Sequence, residues 1–150
     1  MSSRTPKPKV PKAPLPLPTI IIDTREQQPY AFDAARCATV TRKLDTGDYS
    51  VEGFESLVSV ERKSIDDFVH SITGDRDRFF RCLERLRVFP LARIVVEASI
   101  DDVHAGRYVS KASPSSVFGT AVAIDSDFVP IVWAGDRVGA RDYVERLLLR

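Results

Sequence analysis

Four acids and one lysine stand in this sequence where side chains can do chemistry. Asp23 closes the apolar run Thr19-Ile20-Ile21-Ile22, and Glu26 follows in the same turn. Asp48 comes straight after Gly47 in a second turn. Glu61 and Lys63 lie two apart in Ser56–Lys63, a strand-like stretch, so they share a face. Metal-assisted hydrolysis of a phosphodiester needs such a set. Mg²⁺ takes oxygen ligands and keeps several waters, so a few carboxylates suffice. A divalent cation polarises phosphate and acidifies water. A lysine beside it can orient or help deprotonate the attacking water and offset charge on the phosphate.

Each piece alone is a weak signal. Exposed strands often alternate charges, Asp23 could cap a turn or helix, and Asp48 could be an ordinary turn acid. The combination carries the inference, and it requires elements that bring three segments together. Thr19–Asp23 reads as a buried strand. Ala38–Leu44 and Tyr49–Val51 read as short strands, with Thr46-Gly47-Asp48 as the turn between them. In Ser56–Lys63, Val58, Val60 and Arg62 point one way and Leu57, Ser59, Glu61 and Lys63 the other. Ser64 and Asp67 have the spacing of a capping box, followed by Ile65, Phe68, Val69 and Ile72 on one helical face. Thr73-Gly74-Asp75 breaks that helix, and a second runs from Arg76 to Val88. Ala92–Ala98 is a buried strand, followed by a loop with Gly106, Arg107 and Lys111. Ser113-Pro114 opens a helix using Val117, Ala121 and Ile124; Val129–Trp133 is a strand; Asp136 caps a final helix. The order predicts an α/β protein, a mixed sheet covered by helices.

Composition narrows the function. The chain has 150 residues, which suits one domain, and a net charge of +1. Residues 1–18 hold four basic and no acidic residues and six prolines, and read as an extended basic tail before a domain at 19–150. That tail leaves 18 basic against 21 acidic residues in the remainder, a balance of −3. The domain therefore has no broad basic surface for binding DNA by charge alone. DNA binding would need a local patch, the tail or a metal ion. No apolar run approaches the roughly 20 residues of a membrane span, and no signal-peptide pattern is visible, so no membrane is expected. Cys37 and Cys82 have no metal spacing and read as thiols in a reducing compartment. His70 and His104 lack ligand partners at useful spacing, and Trp133 reads as core.

Gly47-Asp48, then Glu61-Arg62-Lys63-Ser64-Ile65-Asp66-Asp67, resembles the G-D-x(n)-E-R-K-x-x-x-D pattern of the XPF-type (XPF/Mus/Hef) structure-specific endonucleases. Ile22-Asp23-Thr24-Arg25-Glu26 resembles their D-x-R-E segment, and Arg78-Phe79 and Arg85-Leu86 their continuation. The resemblance covers Thr19 to the end. Cys82 departs from it, standing where a polar residue is expected.

The resemblance implies a restriction-endonuclease-like fold, a central mixed β-sheet flanked by α-helices. It implies Mg²⁺- or Mn²⁺-dependent cleavage of branched or single-strand/double-strand junction DNA, in repair or recombination. Carried over by residue, Asp23, Glu26, Asp48 and Glu61 are the expected metal ligands, and Lys63 the cation at the attacking water. Arg62 is grouped with Asp48, Glu61 and Lys63 as catalytic; because it faces away from Glu61 and Lys63, bracing the acids is its expected role. Arg25, Arg76, Arg78 and Arg81 are the expected DNA contacts. Asp67 is expected to be structural, as a helix cap.

A homodimer through the C-terminal helices, or a partner protein, is also implied. The chain has no room for the helix-hairpin-helix module that many members carry, so substrate choice is expected from the nuclease domain, the tail or another subunit. A cytoplasmic location is expected, nucleoid-associated in a prokaryote and nuclear in a eukaryote. The alternatives are a non-catalytic DNA-binding or scaffolding subunit and a nuclease of this fold that reads base sequence.

Overall fold

The run Leu91–Val96 is apolar almost throughout because both of its faces are covered. A computed structural model describes residues 12–150. In it this run is strand β5, and alternation sends Ala92, Ile94 and Val96 into one core and Val95 into a second. Five further strands complete the sheet: β1 (Thr19–Ile22), β2 (Ala38–Thr41), β3 (Tyr49–Val51), β4 (Val58–Lys63) and β6 (Ile131–Trp133). The spatial order is β2-β1-β3-β4-β5-β6. β1 pairs antiparallel with β3, and β3 with β4, while β1–β2, β4–β5 and β5–β6 are parallel. The expected mixed sheet flanked by helices is present.

One face carries α1 (Ile65–Thr73), α2 (Arg76–Leu86), α3 (Ile100–His104) and α4 (Pro114–Asp127). Their stripes, Phe68, Val69 and Ile72, then Phe79, Leu83 and Leu86, then Val117, Ala121 and Ile124, close over Ile94 and Val96. The other face carries α5 (Arg137–Leu148), whose Ala140, Val144 and Leu148 lie on Ile20, Ile22, Val60 and Val95. Trp133 is partly buried and packs against this core, its ring edge-on to Phe68 at 5.5 Å.

The structure departs from the sequence reading at three places. The stretch read as a loop contains α3, with a complete capping box between Ser99 and Asp102. At α1 the box is half made: Ser64 Oγ accepts from the Asp67 N–H at 3.1 Å, but the Asp67 side chain returns no bond. Helix α2 stops at Leu86 rather than Val88. Of the expected tail, residues 12–18 are exposed and irregular, and residues 1–11 lie outside those described. No helix among the described residues is long and apolar enough to cross a membrane.

Candidate active site

Gly47 decides where Asp48 points. Its φ is +85°, and a Cβ there would run into Ser59 Oγ. Glycine alone lets the turn lie this close to β4. Ser59 Oγ donates to Thr46 O at 3.0 Å, and Asp48 N to Val60 O at 2.8 Å. The Asp48 carboxylate accepts the Arg62 backbone N–H at 2.8 Å, and so sits beside Glu61 and Lys63.

β4 supplies the other two groups by alternation. Glu61 and Lys63 come out on the face carrying α1 and α2, with Lys63 Nζ 3.5 Å from Glu61 Oε1 and 4.8 Å from the centre of the Phe79 ring. The three side chains line a cleft of about 350 Å³ between the Gly47 turn, β4, α1 and α2. Asp23, Asp67, His70, Phe79 and Cys82 also line it, and Arg25, Arg78 and Arg85 stand at its mouth.

Burial disfavours the charged forms of the two acids on this side of β4. Burial, and then the nearby Glu61, push the Asp48 carboxyl up to about 8. Burial also raises Glu61, against the opposing pull of Lys63. Cys82 is pushed up to about 11, first by burial and then by Glu61, so it stays a neutral thiol. Asp23 behaves differently. Burial would raise it, but donors from Arg25 Nε at 2.7 Å, Leu44 N at 2.7 Å and Arg25 N at 3.0 Å together hold it below the usual range.

Arg62 passes to the opposite face of the sheet. Its Nε and Nη2 donate to Glu26 at 2.9 and 3.1 Å, and Nη1 donates to Glu97 at 3.0 Å. Glu97 Oε1 also accepts from Tyr30 OH at 2.7 Å and Arg137 Nη1 at 3.2 Å. Burial alone would lower the Arg62 guanidinium, but its bonds to Glu26 and Glu97 outweigh that and hold it charged.

The structure therefore divides the expected ligand set. Asp48 and Glu61 come together beside Lys63. Asp23 reaches the cleft wall with both carboxylate oxygens already accepting hydrogen bonds. Glu26 stands apart: each of its oxygens accepts from Arg62 and it does not line the cleft, yet its charge helps push the Asp48 and Glu61 carboxyls upward. Among the described residues, no three His, Cys, Asp or Glu side chains are grouped so as to hold an ion. Asp48 and Glu61 nevertheless fit a hard divalent cation, because Mg²⁺ is commonly held by one or two carboxylates with water completing its shell. A cation there would also offset their repulsion.

The expected DNA contacts divide too. Arg25 is tied to Asp23 and Leu44 O but is 63% exposed at the cleft mouth. Arg78 faces the cleft, its nearest acid Asp75 at 3.7 Å. Arg76 lies over the Phe80 ring at 4.5 Å and donates to Ile72 O, which turns it from the cleft. Arg81 and Arg76 share a neighbouring hollow with Arg78. Asp67 has its backbone in the α1 cap and its exposed side chain at the cleft.

Two residues at the site were given no role from the sequence, Arg85 entering only within the Arg85-Leu86 resemblance. Arg85 is seven positions after Arg78, on the same helical face, and that spacing could have found it. Glu97 follows an apolar strand directly, the same signature that singled out Asp23.

The ERCC4 domain model matches residues 22–147. Among solved structures, XPF from Aeropyrum pernix matches with a TM-score of 0.66 and 21% identity, over 87% of this chain and 63% of that one. The chain thus spans less than two thirds of that protein, and the likeness assigns the restriction-endonuclease-like fold. No curated protein sequence matches.

Proposed function

This chain belongs to the ERCC4 domain family, and from that premise we propose that it is a Mg²⁺- or Mn²⁺-dependent endonuclease that cuts branched or junction DNA. The observation that carries the reading is the cleft in which Asp48, Glu61 and Lys63 converge. Asp48 and Glu61 would hold the cation, which when bound supplies charge to the phosphate and acidity to water. Lys63 Nζ, held by Glu61 and Phe79, orients the attacking water and offsets charge on the scissile phosphate. Arg25, Arg78 and Arg85 seat the flanking phosphates. Arg62 stays on the far face and braces β4. Asp23 fixes Arg25 and the Leu44 backbone rather than ligating.

A local cationic rim suits a domain without a broad basic surface. Repair or recombination is the setting, with DNA as partner and a second subunit joining through the C-terminal helices.

The rival is a catalytically silent DNA-binding or scaffolding module. It draws on the pairing of Glu26 with Arg62 and of Asp23 with Arg25, which leaves two of the four expected ligands, Asp48 and Glu61, without an arginine partner. A cleavage assay with Mn²⁺ across flap, splayed-arm and linear duplex DNA separates the two. Cutting of branched DNA that is lost in Asp48→Ala is expected. Metal-independent binding of every substrate, with no cutting by the wild type at high protein concentration, would establish the rival.

A further inference from the structure

We infer that Glu97 is a positioning residue for the Asp48–Glu61–Lys63 centre, acting through Arg62; this rests on the metal-dependent reading above. Glu97 holds β4 twice. Its backbone N–H donates to Lys63 O at 2.9 Å, and its Oε1 accepts Arg62 Nη1 at 3.0 Å. Arg62 in turn touches the cleft through its own backbone, whose N–H is 2.8 Å from Asp48 Oδ2. The side chains on either side of it in sequence are Glu61 and Lys63. Fixing the Arg62 guanidinium on one face therefore fixes the strand that presents three cleft groups on the other.

Glu97 is itself fixed by Tyr30 OH and Arg137 Nη1, and Arg137 also donates to Gln28 O at 2.8 Å. The strand end is thus tied to α5 and to the segment after β1. Charge balance makes the carboxylate specific. Arg62 and Arg137 face Glu26 and Glu97, two positive against two negative, in a site where the Arg62 and Glu97 side chains are each only 10% exposed. Removing one negative charge leaves two positive groups against one negative and weakens the hold on Arg62 Nη1, so the end of β4 is fixed less firmly.

The test uses Glu97→Gln in the full chain, which keeps the side-chain shape and removes the charge. Mn²⁺ binding is measured by calorimetry without DNA, beside kcat and KM on a branched DNA. The Mn²⁺ Kd is expected to weaken and kcat to fall, each by about 10-fold to 100-fold, as such supporting residues do. The binding stoichiometry and the KM for DNA should stay unchanged. Wild-type Kd and kcat in the folded variant would overturn the inference. So would a reduced stoichiometry at unchanged Kd, which marks loss of folded protein only. A wild-type chain that neither binds Mn²⁺ nor cuts DNA would instead bring down the nuclease reading itself. If Glu97→Gln does not fold, Tyr30→Phe carries the test by removing one donor to Oε1. It should weaken Mn²⁺ binding roughly 3-fold, the worth of one hydrogen bond, and an unchanged Kd would overturn the inference.

Discussion

The two faces of β4 hold charges in opposite states. On the α5 side, Glu26, Arg62, Glu97 and Arg137 balance in sign and meet in direct hydrogen bonds. On the α1–α2 side, Asp48 and Glu61 crowd one lysine, and burial pushes both acids upward. Residues 61, 62 and 63 supply both sides, yet on one side the charged side chains bond directly to each other, while on the other Asp48 accepts only a backbone N–H. A network balanced in sign has little net pull on a further cation, which suits a scaffold. An unsatisfied one stores affinity for a cation. Acids of one motif thus differ in their partners: Glu26 is paired with the Arg62 guanidinium, whereas Asp48 accepts from the Arg62 backbone N–H.

The largest expected effect tests the scaffold. Arg62→Ala leaves Glu26 and Glu97 without their main partner in a half-buried site and should cost about 3–5 kcal/mol. In a domain of this size that is a fall in Tm of roughly 10 °C or more, read by thermal melts. A variant as stable as the parent would remove the contrast between the faces. Next is Lys63→Met, which keeps the aliphatic stem over Phe79 and removes the ammonium. Cleavage should fall by about 10²–10³-fold, the scale for losing one electrostatic group at a reacting centre, while the melt barely moves.

The third prediction sharpens the cleft side through pH. The Asp48 carboxyl ordinarily titrates near 3.8 and is pushed up to about 8 in the folded protein. Between those values the folded state binds more protons than the unfolded one, so stability is present at low pH and is lost as pH rises through the window. Asp48→Asn lacks this loss. Its Tm should exceed the wild-type value by roughly 5 °C at pH 9, corresponding to about 2 kcal/mol, with little difference at pH 4. Added Mn²⁺ should narrow the gap by stabilising the wild type. A gap that does not change with pH would show that the acid is not strained by its surroundings.

The smallest effect lies at the rim. Arg78→Gln and Arg85→Gln should each weaken DNA binding a few-fold and lower the salt slope of log K by about 1, read by titrations at several ionic strengths. Arg76→Gln, whose guanidinium lies on Phe80, should change the slope less than either.

Local chemistry made much of this protein legible before any coordinates. Apolar periodicity marked β1, β5 and the buried stripes of α1, α2, α4 and α5. Gly47 before Asp48 marked a turn that only glycine tolerates. Strand alternation placed Arg62 opposite Glu61 and Lys63 and favoured bracing over contact with the reacting phosphate. These features depend on neighbours within a few residues, where the geometry of helix and strand is fixed by the backbone.

Only the tertiary structure decided who meets whom across the sheet. The irregular segment after Asp23 has no period, so nothing local told Glu26 to turn toward Arg62, 36 residues away. Glu97 acquires its side-chain partners from three other segments. Pairing between distant charges is set by which elements pack together, and a chain's own spacing carries no record of that.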